Sequence, residues 1–97
     1  MKNLNEIKEI LKQQKEFLKK KYKIKEIGIF GSYVRGEQTH TSDVDILVEF
    51  YEIPDFLTFL EIERLLEELL GIKVDLVRKS VLRKEIYEQV LQEVQTI

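Results

Sequence analysis

From Leu4 to about residue 20, the apolar residues Leu4, Ile7, Ile10, Leu11, Phe17 and Leu18 recur at the spacing of one helical face, with Lys and Glu between them. That period predicts an amphipathic helix over 4–20. The pattern then changes. Ile24-Lys25-Glu26-Ile27-Gly28-Ile29-Phe30 is short, β-branched and aromatic, and it stops at Gly31, which predicts a buried strand. Residues 31–42 hold two glycines and a cluster of Thr, His and Ser, the composition of a loop, here enclosing one helical turn that starts near Ser32. Val44, Ile46, Leu47, Val48 and Phe50 predict a second strand, with Asp43 and Asp45 alternating at its start. Pro54-Asp55 opens a long helix through about Leu70, with Asp55 as N-cap and Gly71 as its stop. Ile72 to Val77 reads as a third strand carrying Asp75. Ser80 is expected to cap a last helix, in which Leu82, Ile86, Val90 and Val94 stand four residues apart. The order α-β-(α)-β-α-β-α predicts an α/β (α+β) fold, a small mixed sheet with flanking helices, and residues 1–97 are expected to form a single domain.

Charge alters this picture only locally. The net charge of −2 argues against a sequence-blind nucleic-acid binder, so nucleic acid is not expected as the main partner. Residues 1–25 nevertheless hold nine Lys against three Glu, while residues 37–68 hold ten acids against Arg64 alone. The basic end reads first as a solvated helix face and second as a surface for nucleotide or an acidic partner. Without cysteine there is no disulfide, thiolate metal site or Cys nucleophile. No apolar run approaches the roughly 18–20 residues of a membrane span, and the polar start lacks a signal-peptide core, so no membrane partner and a cytoplasmic location are expected.

Candidate chemistry begins with Asp43-Val44-Asp45. Residues i and i+2 of a strand share a face, roughly 6–7 Å apart along the backbone. Two carboxylates so close repel unless a cation lies between them. A lone pair of this kind could simply be an exposed strand end. Asp75 shifts the balance, because it stands between Val74 and Leu76 in another apolar strand, where an unpaired charge is costly. If the second and third strands are neighbours, three acids converge, a donor set suited to a hard divalent cation and to in-line displacement at phosphorus. Gly31-Ser32 follows the first strand directly. Glycine allows close backbone approach to a ligand, backbone amides at a helix start attract phosphate, and Arg35 is a natural clamp. His40 reads as a loop residue and Ser42 as the residue that orders the turn before the second strand. Tyr22, Tyr33, Tyr51 and Tyr87 read as packing or rim groups.

Gly31-Ser32-Tyr33-Val34-Arg35-Gly36, followed by Ser42-Asp43-Val44-Asp45 and by Asp75 in a later strand, resembles the motif of the DNA polymerase β nucleotidyltransferase superfamily. The likeness runs from about Ile27 to Val77, just over half the chain, and its polar and glycine positions agree in order and context. The short chain is similar to the minimal nucleotidyltransferases, which are encoded beside HEPN-domain partners as toxin–antitoxin pairs. The resemblance implies a polymerase β-like fold and transfer of AMP from ATP to a tyrosine of a HEPN-type RNase toxin. It implies that Gly31, Ser32 and Arg35 bind the triphosphate. Asp43, Asp45 and Asp75 would hold Mg²⁺, as two ions, with Asp75 beside the attacking hydroxyl. Two rival readings stand beside it: an antitoxin that acts by contact alone, and a transferase for a small molecule or an RNA end. Apolar residues on the third and last helices, with the terminal Ile97, exceed the stripe one sheet face can bury, which predicts a docking surface for a partner or for a second copy.

Overall fold

The structure, a computed structural model, describes residues 2–97. Helix α1 spans Leu4–Tyr22 and strand β1 spans Ile24–Phe30. A single helical turn, α2, covers Ser32–Arg35, and β2 covers Val44–Phe50. Helix α3 spans Phe56–Leu70 and strand β3 spans Val74–Arg78. Helix α4 spans Lys84–Glu93 and a two-residue strand β4 covers Gln95–Thr96. The sheet order is β3-β2-β1-β4. β1 runs antiparallel to both β2 and β4, and β2 runs parallel to β3. This is the expected mixed sheet with flanking helices.

The helix ends follow from local chemistry. At the start of α1 the Asn3 side chain accepts from the Glu6 amide at 2.9 Å while the Asn3 amide points back to the Glu6 carboxylate. Asp55 caps α3 by accepting from the Thr58 amide at 2.7 Å, and Gly71 ends that helix in the left-handed conformation, both as expected. The last helix departs from expectation. Ser80 caps nothing: it sits inside a 3-10 turn at Lys79–Val81, after which Leu82 and Arg83 are extended, so α4 opens only at Lys84 and without a side-chain cap. Val94 lies outside that helix, in extended backbone. There it turns the chain into β4, a strand too short to leave a sequence signal.

One face of the sheet carries Ile27, Ile29, Val44, Ile46, Val48, Val74 and Leu76. All are buried, and they form one core with Ile7, Leu11 and Leu18 of α1 and Ile62, Leu66 and Leu70 of α3. By alternation, Asp45, Leu47 and Glu49 of β2 point to the other face. Over that face the chain end returns, with Val94 packed so close to Gly28 that an added Cβ there would lie 2.8 Å from Val94 Cγ2. The terminal Ile97 is also buried, its amide donating to the Ile27 carbonyl at 2.9 Å, so it is no part of the surplus apolar surface. That surplus is real elsewhere: Phe56 and Leu57 at the start of α3 are 72% and 77% exposed.

The two edges of the sheet differ. At β3, carboxylates of α3 take the outward amides: Glu67 accepts from Val74 at 3.0 Å and Glu63 from Leu76 at 3.1 Å. Among the described residues no helix is long and apolar enough to cross a membrane. Leu66 is fully buried between α3 and the sheet. Leu66→Ala should therefore lower the unfolding free energy by about 2–5 kcal/mol, measurable as an earlier denaturant midpoint with an unchanged slope.

Candidate active site

Three strand positions build the site. In the β1–β2 ladder Phe30 faces Asp45, and in the β2–β3 ladder Asp45 faces Asp75. Neighbouring residues in register on parallel strands point the same way, so these two carboxylates emerge side by side on the face opposite the main core. Asp43 stands just before β2, two residues from Asp45 and exposed. The three acids therefore gather at one end of the sheet, as the sequence suggests. They do not close into a cage: among the described residues no three His, Cys, Asp or Glu side chains converge as ligands of one ion.

The crowding of charge is visible at Asp45. Its carboxyl is pushed up to about 6 by partial burial first, then by Asp75 and by Asp43; Glu93 adds to the rise, and Arg35 opposes it. A nearby cation would relieve this repulsion. Mg²⁺ takes oxygen ligands and commonly uses one or two carboxylates together with substrate phosphates. The donor set here suits that mode of binding and does not require a complete protein cage.

Gly31 joins the acids to the adjoining loop. Its backbone, at φ 82° and ψ −153°, presses so closely on Asp45 that an added Cβ would collide with the carboxylate. Only glycine fits that conformation without strain. From Gly31 the chain enters α2, where Val34 and Arg35 amides donate to the Gly31 carbonyl at 3.0 and 3.2 Å, and Gly36 closes the turn in the left-handed region. Ser32 is half-buried at the head of this turn, and Tyr33 packs inward. The Tyr33 hydroxyl is pushed up by burial and then by the Asp43 charge. Ser42 orders the approach to β2, its hydroxyl accepting from the Thr39 amide at 2.8 Å. His40 is an exposed loop residue. A cleft of about 530 Å³ opens beside Asp43, between Tyr33 and Ser42 on one side and Gly71 to Lys73 on the other.

Nothing in the sequence reading singled out Glu93. It is the last residue of α4, yet its carboxylate accepts from the Gly31 amide at 2.7 Å and from Arg35 Nη1 at 3.0 and 3.1 Å. Arg35 also bonds Glu37 through Nε at 2.8 Å. A signal did exist: an acid at a helix C-terminus opposes the helix dipole and needs another reason to be there.

The geometry has counterparts. The nucleotidyltransferase domain family matches residues 11–97. This chain belongs to the nucleotidyltransferase family. The nucleotidyltransferase is 56% identical over 93 residues to MJ0128 of Methanocaldococcus jannaschii, named as a protein adenylyltransferase, covering 96% of this chain and 95% of that one. It is 54% identical over 94 residues to the protein adenylyltransferase MntA of Thermococcus cleftensis, covering 97% and 95%. Among solved structures, a minimal nucleotidyltransferase superposes with a TM-score of 0.83 at 30% identity, covering 99% of this chain and 97% of that one. A toxin–antitoxin structure with AMP-PNP superposes at 0.70 and 28% identity, covering 95% and 69%. The complex of a tri-AMPylated HEPN toxin with its MNT antitoxin, from Shewanella oneidensis, superposes at 0.61 and 25%, covering 95% and 66%.

Proposed function

We propose that this nucleotidyltransferase moves AMP from ATP onto a tyrosine hydroxyl of a HEPN-type toxin and so acts as its antitoxin. The observation that carries the reading is the side-by-side placement of Asp45 and Asp75, with Gly31 packed against Asp45. A triphosphate held at Gly31 would bring its phosphorus atoms next to the carboxylates. The names of the relatives support protein adenylylation, and the HEPN complex supports the partner class.

In this reading the Gly31 amide, Ser32 and the Arg35 guanidinium bind the triphosphate. Asp43, Asp45 and Asp75 would hold magnesium. Bound magnesium would supply charge stabilisation on the attacking and leaving oxygens. Asp75, at the outer strand and exposed, faces the incoming hydroxyl and helps take its proton. The tyrosine oxygen forms a bond to the α-phosphorus, the bond from that phosphorus to the bridging oxygen breaks, and diphosphate leaves. The protein acceptor needs a docking surface. Exposed Phe56 and Leu57, beside a groove of about 490 Å³ lined by Ile53, Phe59, Val77 and Val81, offer one on this chain.

The same apolar surface favours a second reading, in which the antitoxin neutralises its toxin by contact. One experiment separates the two. The purified chain is mixed with a HEPN-type toxin, with ATP and magnesium, with EDTA, or without nucleotide, and the toxin is read by intact mass and RNase assay. Adenylylation with lasting loss of RNase activity after the partners are separated is the expected result. Full neutralisation without nucleotide, and no mass gain with it, would replace catalysis by contact.

A further inference from the structure

Glu93 holds two of the groups on which the phosphate-binding reading rests. Its carboxylate occupies the Gly31 amide at 2.7 Å and bridges to Arg35 Nη1 at 3.0 and 3.1 Å. These are charge-assisted bonds, the stronger class. The Glu93 side chain is only 16% exposed and its bond to the Gly31 amide is part-buried, whereas Arg35 is 41% exposed, so water screens the amide contact less than the ion pair. Two oxygens meeting a backbone amide and a guanidinium reproduce what a phosphate would present to the same donors. The arrangement has a cost. Glu93 adds a negative charge beside Asp45 and helps to raise that group, and it stands at the helix end where an acid is disfavoured. A residue placed against both local preferences is doing something at the site and not for its own helix.

We propose that Glu93 is a built-in competitor for the triphosphate. It keeps the Gly31 amide and Arg35 occupied in the free protein and must swing away before nucleotide binds. The proposal rests on the assignment of Gly31 and Arg35 to phosphate. It makes the free protein's apparent affinity the intrinsic affinity reduced by the fraction of molecules in which these donors are open. Because Glu93 ends α4 and only Val94 separates it from β4, its release also frees the junction between the helix and the sheet edge. Nucleotide occupancy is thereby linked to the position of the chain's last helix.

The test measures binding of magnesium-ATP, and separately of inorganic tripolyphosphate with magnesium, by calorimetry. The proteins are the wild type, Glu93→Gln, Arg35→Ala and the double variant. Glu93→Gln preserves size and removes the charge. If about one molecule in ten is open, it tightens both ligands roughly tenfold. The amide resonances of Gln95 and Thr96 in β4 should already be shifted in free Glu93→Gln toward their positions in nucleotide-bound wild type, a signature that loss of a helix-end charge alone would not produce. Unchanged or weaker binding in Glu93→Gln, while Arg35→Ala still weakens binding, overturns the competition and leaves the phosphate site standing. If Arg35→Ala leaves both affinities unchanged, the phosphate assignment falls and the competition falls with it.

Discussion

Asp45→Asn is expected to reduce nucleotidyl transfer by more than the roughly 10–100-fold that loss of a mere supporting residue of a metal site costs, while making the folded chain more stable at neutral pH. The second half follows from the raised carboxyl. Asp45 titrates at about 6 in the fold, above the ordinary value near 4 that it has unfolded. The folded state thus holds that proton more tightly than the unfolded state. The Asp45 contribution to stability falls as pH rises from about 4 to about 6, and the deficit persists above that window. Asparagine carries no charge and loses this slope. Urea denaturation at pH 5, 6 and 8 would show the wild type weakening over the lower interval and the variant flat by comparison. Single-turnover assays on the same preparations give the activity. Transfer at the wild-type rate in Asp45→Asn would remove the catalytic assignment, whatever the stability data show.

The second large effect is expected at Gly31. Gly31→Ala should weaken nucleotide binding and also destabilise the fold. The backbone conformation alone costs an L-residue about 1–3 kcal/mol, and the new methyl would be driven into the Asp45 carboxylate. Gly36 provides the control. It is also left-handed, at φ 74°, but an added Cβ there meets nothing within 4 Å. Gly36→Ala should cost only the backbone term, about 1–2 kcal/mol, and leave nucleotide affinity near wild type. Melting curves and calorimetry on the two variants would make the comparison. Equal losses of affinity at both positions would mean that Gly31 serves the turn and not the ligand.

The carboxylates of the candidate site were legible in the sequence because they violate a strand preference. Aspartate is depleted from strands, so Asp45 and Asp75 stood out against Val, Ile and Leu neighbours, and the register of β2 on β3 then placed them side by side. Asp55 and Gly71 were legible because a cap is decided within three or four residues. Ser80 misled for the same reason: its residue type fits a cap, but the extended backbone at Leu82 and Arg83 delays the helix. β4 has two residues and no periodicity to offer. Glu93 lies 62 residues from the amide it binds, and such a contact exists only once the fold has brought the chain's end back across the sheet.

The carboxylates of Glu63 and Glu67 on the outer side of β3 limit how this protein can associate. An open strand edge is a template on which another chain can lay a strand, and it is a common starting point for fibrils. Here the Val74 and Leu76 amides already have acceptors, and the opposite edge is the two-residue β4. Pairing at β3 would first have to break two intramolecular bonds and then set a foreign backbone against two acids. Growth of ordered aggregates along the sheet is thereby discouraged, although the chain displays Phe56 and Leu57 to solvent. A companion that docks at β3 therefore has to recognise side chains, which can be chosen for one partner, and not main chain, which every protein shares.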